Sequence, residues 1–306
     1  MKMKNFIQYI EYLLLRFFLA LIRCFPLQFL YFLSNLTYFI LFEVIRYRRK
    51  ITQHNLRICF PTKDEHWIEA TAHKFYHHLS DILLESLKGF SLSREELLKR
   101  FKLSNPDIFY EIEKKYSKII IASAHYGNWE WGALLIPSLL KYQTYGIYKP
   151  LSNKYIDRYL KKHRALWGMH LVSVTQTGFM FRNSNERQAF FFLSDQYPGN
   201  RKKALQFEFM GLPTLWLGGL EKYARHFQLP VYYFGIRRVS RGKYEVFAEP
   251  IAENPRQLDK GEIINKYVSI LEKEVEQCPS NWLWSHRRWK NLVEKTNSFQ
   301  STGGHS

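Results

Sequence analysis

A histidine and a carboxylate stand five positions apart in the segment ASAHYGNWEWG, residues 122–132. Histidine titrates near neutral pH and can act as a general base, and a neighbouring carboxylate can fix its tautomer and stabilise the imidazolium. On one α-helix, side chains five positions apart point about 140° away from each other. His125 and Glu130 can therefore meet only if His125 ends a strand and Glu130 lies in the first turn of the next helix.

A second polar pair, Asp195 and Gln196, directly follows the strand-like segment AFFFLS. In α/β folds the reactive groups collect beyond the carboxyl ends of the strands, which is where both this pair and His125 are expected. Asp195 can support such a site or only cap a turn or helix. Gln196 can donate a hydrogen bond to an oxyanion or only satisfy backbone groups, and the residues alone leave both alternatives open.

Several classes of site are disfavoured because their motifs are missing. The chain has no G-x-S-x-G elbow, which disfavours a serine hydrolase, and no glycine-rich phosphate loop. We interpret Gly218-Gly219, which falls within a helical pattern, as a packing feature. His73 and His77 are four positions apart but lack the glutamate of an H-E-x-x-H motif. The three cysteines, Cys24, Cys59 and Cys278, form no C-x-x-C pair. We therefore expect neither a metal nor a bound organic cofactor.

The elements around these candidates alternate between strands and helices. This alternation predicts an α/β fold with a mostly parallel central sheet flanked by helices. The expected strands are 116–124, 144–149, 187–196, 230–239 and 243–250, the last two joined by the hairpin-like turn SRGK. The expected helices include 62–90, 128–142, 153–168, 212–228 and 259–278.

The N-terminal part of the chain is unusually apolar. Residues 26–45 are long enough to match the hydrocarbon thickness of a bilayer, and the greasy segment 6–22 can extend this element or lie along the interface. The basic cluster at 46–50 favours a cytoplasmic location for the domain beyond it. We expect one or more membrane-associated helices and no cleaved signal peptide. A buried helix pair in a soluble domain is the alternative, and the topology of residues 1–25 stays open.

The charge of the chain indicates an anionic partner. Its 45 basic and 27 acidic residues give a formal charge of +18, which suits nucleic acid, an anionic membrane, or an acidic protein or phosphorylated substrate. The basic residues follow no nucleic-acid-binding module, so we expect no nucleic acid. The predicted organisation is a membrane anchor with its basic cluster (1–50), a catalytic domain (51–295) and a disordered tail (296–306).

Six blocks of sequence, in order over about residues 26–290, resemble the lauroyl/myristoyl acyltransferases of lipid A biosynthesis, within the wider lysophospholipid acyltransferase group. AHYGNWEWG is similar to the H-x-x-x-x-[DE] block of that family, and CPSNWLWSHRRWK is similar to its W-x-W-x-H-R-R segment. The other four blocks are RRKITQHNLRICFP, YKPLSNKYIDRYLKKHRALWGMHLV, FFLSDQ and FEFMGLPT. The resemblance implies a glycerolphosphate-acyltransferase-like fold.

The resemblance also implies an activity: transfer of a fatty acyl group from a thioester, usually acyl-acyl carrier protein, to a hydroxyl of a phosphorylated glycolipid acceptor. His125 would be the general base and Glu130 the carboxylate that orients it. Arg164 would hold a phosphate or stabilise the developing oxyanion. Asp195 would support the site or hold Arg164, and Gln196 would support the site. The family location implied is the cytoplasmic face of the bacterial inner membrane. Three C-terminal side chains could contact acceptor phosphates or anionic headgroups: His286, Arg287 and Arg288.

Two alternatives to this function stay open. The same chemistry could act on a lysophospholipid, an aminolipid or another glycolipid, because the blocks do not define the acceptor. A non-catalytic membrane adaptor could instead hold anionic partners through its basic surface. The presence of both His125 and Glu130 favours an enzyme. Trp282 and Trp284 we interpret as packing residues.

Overall fold

The computed structural model describes residues 2–181 and 186–290, so the predicted tail at 296–306 lies outside the described residues. The helices are α1 (Lys2–Cys24), α2 (Leu27–Phe39), a π-helical turn (Ile40–Val44), α3 (Arg49–Cys59), α4 (Glu65–Gly89), α5 (Arg94–Leu98), α6 (Pro106–Lys115), α7 (Trp129–Leu139), α8 (Lys154–Leu166), α9 (Thr177–Met180), α10 (Gly219–Phe227) and α11 (Glu262–Gln277). The strands are β1 (Phe101–Leu103), β2 (Lys118–Ser123), β3 (Gln143–Tyr148), β4 (Met169–Ser173), β5 (Gln188–Leu193), β6 (Ala204–Phe209), β7 (Leu212–Leu217), β8 (Val231–Ser240) and β9 (Lys243–Ala252).

A seven-stranded sheet forms the centre of the fold, in the order β1-β9-β8-β2-β5-β3-β4. Its pairs are parallel except for the β8–β9 hairpin. The central strand β2 carries three successive isoleucines, and both faces of it are buried, as the continuous apolar run predicts. The predicted α/β fold with a mostly parallel sheet flanked by helices is confirmed.

The segment predicted as one helix at 212–228 is a strand followed by a shorter helix. β7 pairs antiparallel with β6, and the two-residue turn between them places both Met210 and Gly211 at positive φ, the conformation of a tight hairpin. Thr214 and Trp216 are buried while Pro213 and Leu217 are exposed, an alternation that suits a strand. The sheet edges also hold β1 and β4, which the sequence analysis did not include.

Gly219 does not serve close packing, contrary to the sequence interpretation. It is the first residue of α10, after the N-cap Gly218. A Cβ at Gly219 would meet no atom within 4 Å. The space in front of this residue is open.

The two apolar N-terminal helices lie against the α/β part of the chain. Helix α2 packs along α4, where Ser34 Oγ donates to Asp81 over 2.5 Å. Helix α1 lies beside α8, and Asn153 Nδ2 donates to the Glu11 carboxylate over 2.8 Å. Helix α1, and α2 together with the π-helical turn that continues it (Leu27–Val44), are long and apolar enough to cross a membrane by length and composition. Their outward sides expose many large apolar side chains, including Phe6, Leu14, Phe17, Phe32 and Phe39, which suggests association with a membrane.

Candidate active site

The chain turns sharply between β2 and α7, as the spacing of His125 and Glu130 predicts. β2 ends at Ser123, and Glu130 lies in the first turn of α7. Gly127 between them has φ +59°, and a Cβ at this position would collide with the carbonyl oxygen of Ile236. Only glycine fits here without moving β8. The tight turn therefore places both residues just beyond the carboxyl end of β2.

Asp195 is the carboxylate that contacts His125. His125 Nδ1 lies 2.7 Å from Asp195 Oδ1, and the backbone N–H of His125 donates to Asp195 Oδ2 over 3.0 Å. β2 and β5 are parallel neighbours with Ser123 beside Leu193, so the second residue beyond each strand meets its counterpart. The contact between His125 and Asp195 therefore follows from the register of β2 and β5.

Glu130 contacts a different side chain from the one predicted. Its Oε2 accepts a hydrogen bond from Arg164 Nη2 over 2.6 Å, and both side chains are partly exposed. In this structure Glu130 therefore pairs with Arg164, and Asp195 contacts the imidazole rather than Arg164, whereas the sequence analysis expected Glu130 beside the ring. The reason is that α7 carries Glu130 towards α8, whereas the parallel pairing of β2 and β5 brings Asp195 to the ring.

Gln196 completes the surroundings of the imidazole. Its Nε2 lies 3.2 Å from His125 Nε2. With a proton on Nδ1, donated to Asp195, His125 Nε2 carries a lone pair that can accept a hydrogen bond or a proton. Gln196 also lines a cleft of about 300 Å³ together with apolar side chains of α4 and the π-helical turn. The lining includes Leu41, Leu79, Leu83, Leu283 and His286.

The carboxylates around His125 set its protonation. Burial lowers the pKa of His125, but the charge and hydrogen bond of Asp195 and the charge of Glu130 together raise this pKa above its ordinary value. For Asp195, burial raises the pKa, but the neighbouring His125 and the donated hydrogen bonds hold it below the ordinary value for aspartate. Asp195 is therefore an anion at neutral pH, and it stabilises the imidazolium.

This electrostatic arrangement predicts a shift in the pH profile of catalysis. A general base must be unprotonated, so activity should rise with pH through a pKa above the ordinary value for histidine, about 6.5. Glu130→Gln removes a negative charge that raises the pKa of His125, so this limb should move to lower pH. The measurement is kcat/KM against pH for both proteins. If the rising limb lies at the same pH in both proteins, the charge of Glu130 does not raise the pKa of His125.

The C-terminal segment builds one wall of the site. Trp282 is 2% exposed and its Nε1 donates to Asp195 Oδ2 over 3.0 Å. The backbone N–H of Leu283 donates to the His125 carbonyl over 3.1 Å. Trp282 is thus a packing residue that also holds the Asp195 carboxylate, a contact which the sequence analysis missed. Trp284 is fully buried, and its Nε1 donates to the Pro279 carbonyl.

The sequence analysis predicted phosphate contacts for three C-terminal neighbours, His286, Arg287 and Arg288. Their side chains occupy different environments. Arg288 is 1% exposed and stacks over Trp216, so it cannot anchor the domain to headgroups. Burial lowers the pKa of His286 to about 4, which leaves this ring neutral at physiological pH. Arg287 is the exposed member and lines a cleft of about 400 Å³ that also contains Lys50 and His54.

Asn128 holds the catalytic turn to the rest of the protein. Its side chain is fully buried, accepts from the Trp131 N–H over 2.9 Å as the N-cap of α7, and donates to Glu85 Oε2 over 2.6 Å. Glu85 is also fully buried and accepts hydrogen bonds from Tyr31 on α2 and Tyr244 on β9. Asn128 thereby links the turn to α4 and, through Glu85, to an N-terminal apolar helix.

Replacing Asn128 with alanine should destabilise the protein by about 1–3 kcal/mol, because it removes a helix cap and a donor to a buried carboxylate. Urea unfolding in detergent would measure the change. The matched control is Ser93→Ala, which removes the exposed cap of α5 and leaves no buried carboxylate unpaired. If Asn128→Ala lowers the free energy of unfolding no more than Ser93→Ala does, the hydrogen bond to Glu85 does not contribute the stability proposed for it.

Metal ligands are not assembled near this site. Within residues 2–181 and 186–290, no group of three or more His, Cys, Asp and Glu side chains could hold an ion. Of the histidines on α4, His73 contacts the Tyr38 hydroxyl and His77 stacks on the Tyr38 ring. These two rings belong to the packing between α2 and α4.

The chain is similar to known proteins over nearly its whole length. Residues 2–291 match the family model described as bacterial lipid A biosynthesis acyltransferase. A curated relative, the lipid A biosynthesis acyltransferase of Haemophilus influenzae, is 23% identical over 257 residues, which cover 82% of this chain and 81% of the relative. The family match extends over nearly the whole chain and includes every residue of the site described above. The chain therefore belongs to the bacterial lipid A biosynthesis acyltransferase family and is an acyltransferase.

Proposed function

We propose that this acyltransferase moves a fatty acyl chain from an acyl thioester to a hydroxyl of a lipid A precursor, with His125 as the general base. The observation that carries the proposal is the hydrogen-bonded pair of His125 and Asp195 at the end of the parallel sheet. The pair fixes the tautomer that leaves Nε2 available, and this nitrogen lies beside an apolar cleft. A base next to an apolar cleft suits a reaction between two lipid-bearing substrates.

The chemistry follows from these positions. His125 Nε2 accepts the proton of the acceptor hydroxyl as its oxygen attacks the thioester carbonyl, and Asp195 stabilises the imidazolium that forms. The tetrahedral intermediate then expels the thiolate, which takes the proton from His125. The Gln196 amide, 3.2 Å from His125 Nε2 in the absence of substrate, is the donor that we assign to the oxyanion once the acceptor hydroxyl has taken its place beside this nitrogen. Within residues 2–181 and 186–290, the side chains that bond to or stack on the His125 ring are Asp195, Gln196 and Trp129. None is a serine, threonine or cysteine that the histidine could activate, which favours direct transfer without an acyl-enzyme.

Glu130 and Arg164 serve the acceptor in this proposal. Their ion pair is partly exposed, with side-chain exposures of 37% and 25%, and the charge of Glu130 acts on His125. Because the guanidinium group has donors beyond the one used for Glu130, Arg164 can bind an oxyanion or a phosphate of the acceptor. Glu130 therefore positions Arg164 and tunes the base, and Asp195 takes the orienting role.

The membrane contact uses one side of the N-terminal helices. Helix α2 is held to α4 and helix α1 to α8 by polar contacts, so neither can be surrounded by lipid on all sides. We place the protein on the cytoplasmic face of the bacterial inner membrane, with the outward apolar sides of α1 and α2 embedded. The proposed donor, acyl-acyl carrier protein, reaches the site from the aqueous side.

Vesicle binding tests the embedded face. Phe17→Ser removes a 65% exposed aromatic of α1 and should weaken partitioning onto anionic vesicles by about 10- to 150-fold, since burial of one such side chain is worth about 1.5–3 kcal/mol. Tyr110→Ser changes a 68% exposed aromatic on α6 and should bind as wild type. Equal effects of the two substitutions would contradict the assigned face.

Transfer in detergent-solubilised membranes tests the reaction. The protein would receive a long-chain acyl-acyl carrier protein and the tetra-acylated, phosphorylated disaccharide precursor, and mass spectrometry would detect the gain of one acyl chain on the lipid. If a lysophospholipid or aminolipid is acylated and the disaccharide is not, the proposed acyl transfer is correct but the proposed acceptor is wrong. Absence of transfer with every donor and acceptor would overturn the enzymatic proposal in favour of an adaptor.

A further inference from the structure

A groove of about 870 Å³ lies between the β6–β7 hairpin and α10. It begins at Pro198, three residues beyond Asp195 in the chain, and one of its edges is formed by Gly218 and Gly219. A Cβ at Gly219 would meet no atom within 4 Å, so a side chain there would project into unfilled space. The groove is distinct from the apolar cleft at Gln196, and the chain between Gln196 and Pro198 connects their walls.

The groove is strongly basic. Four of the side chains that line it are basic: Lys202, Lys222, Arg225 and Lys260. Within the described part of the chain, the three lysines form no ion pair with an acidic residue. The acidic lining residue, Glu221, is 3% exposed and accepts hydrogen bonds from the backbone N–H groups of Gly261 and Ile264. An unneutralised set of ammonium groups around a groove attracts an anionic ligand.

The position of the groove indicates which substrate carries that anion. Its lining comes from residues between Pro198 and Arg225 and from Lys260, and it includes no residue of α1 or α2, the helices with the exposed apolar face. A ligand bound here can therefore approach without leaving the aqueous phase. Of the two substrates in the proposed reaction, the thioester donor is the one that arrives from water.

We propose that this groove binds the phosphate ester of the acyl donor, a phosphopantetheine-type arm whose thioester end reaches His125. This inference rests on the proposed acyl transfer from a thioester. Lys202, Lys222 and Lys260, which line the groove, bind the phosphate. Arg225 is held in place by its hydrogen bond to the Leu258 carbonyl over 2.6 Å, and the arm follows the chain from Pro198 towards Gln196. The open space at Gly219 admits the arm close to the backbone.

Direct binding tests the groove without depending on turnover. The full chain in detergent would be titrated calorimetrically with phosphopantetheine and with pantetheine, which lacks the phosphate. Wild type should prefer the phosphorylated arm, and Lys202→Gln/Lys222→Gln should weaken that arm by about tenfold while pantetheine binding stays unchanged. The control, Lys102→Gln/Lys243→Gln, removes two exposed lysines from β1 and β9 and should bind as wild type.

Steady-state kinetics separates the donor from the acceptor. The Lys202→Gln/Lys222→Gln variant should raise KM for a phosphate-bearing acyl donor and leave KM for the lipid acceptor unchanged. A rise confined to the acceptor KM, or equal binding of phosphopantetheine by the variant and the control, would overturn the inference even if acyl transfer is intact. Selective phosphopantetheine binding by a protein that transfers no acyl group would support the groove and count against the proposed reaction.

Discussion

Replacing His125 with glutamine should lower kcat of acyl transfer by about 10²–10⁴-fold, the usual contribution of a positioned general base. Glutamine is close in size to histidine and can still donate to Asp195, so the turn and the buried carboxylate keep their contacts. The variant loses the nitrogen that accepts the proton of the acceptor hydroxyl. The measurement is single-turnover transfer with saturating donor and acceptor.

A second histidine variant is the control that shows whether the fall in kcat comes from loss of the general base. His170→Gln changes an exposed histidine on β4 and should transfer at the wild-type rate. The His125→Gln protein should retain its unfolding midpoint and its binding of phosphopantetheine, because neither depends on proton transfer. If the single-turnover rate of His125→Gln is within a few-fold of the wild-type rate, His125 is not the general base.

The placement of the catalytic turn could be predicted from the sequence because its cause is local. The isoleucine run before His125 specifies a buried strand, Asn128 caps the next helix, and Gly127 permits the turn between them. Each of these signals lies within a few residues of the others. The expected strand end for His125 and helix start for Glu130 are accordingly present in the structure.

The partner of His125 could not be predicted in the same way. Glu130 and Asp195 are both acidic residues at the carboxyl end of the sheet, and the one that meets the ring is decided by the pairing of β2 with β5. That pairing joins segments 70 positions apart, and residue types do not specify it. Trp282 is missed for the same reason, since a tryptophan in a C-terminal segment carries no local sign that its N–H faces a carboxylate.

The helix expected at 212–228 shows a different limit. Leu212, Leu215 and Leu220 have spacings that suit one face of a helix, and this periodicity hides the hairpin. The signal that could have corrected it is Met210-Gly211 between two short apolar-polar alternations, a two-residue turn of the hairpin type. With this turn recognised, the predicted helix would start at Gly219, and the sequence would predict a hairpin next to Lys202 and Lys222.

Replacing Asp195 with asparagine should reduce kcat by about 10²–10⁴-fold, comparable to the loss of the base itself. Asparagine is isosteric, but its amide can present N–H groups to His125 Nδ1. The imidazole then takes the tautomer with its proton on Nε2, and the nitrogen that faces the acceptor can no longer accept one. The imidazolium also loses the buried anion that stabilises it.

The companion variant Glu130→Gln should lose far less activity, because it keeps a hydrogen-bond acceptor for Arg164 and leaves the tautomer of His125 unchanged. The two variants thus distinguish an orienting carboxylate from one that acts through charge and through Arg164. They would be compared by single-turnover rates across the pH range, since the Glu130→Gln loss includes a shift of the profile and the Asp195→Asn loss persists at every pH. Near-normal turnover by Asp195→Asn, with a deep loss in Glu130→Gln, would return the orienting role to Glu130 and would mean that the ring leaves Asp195 when substrates bind.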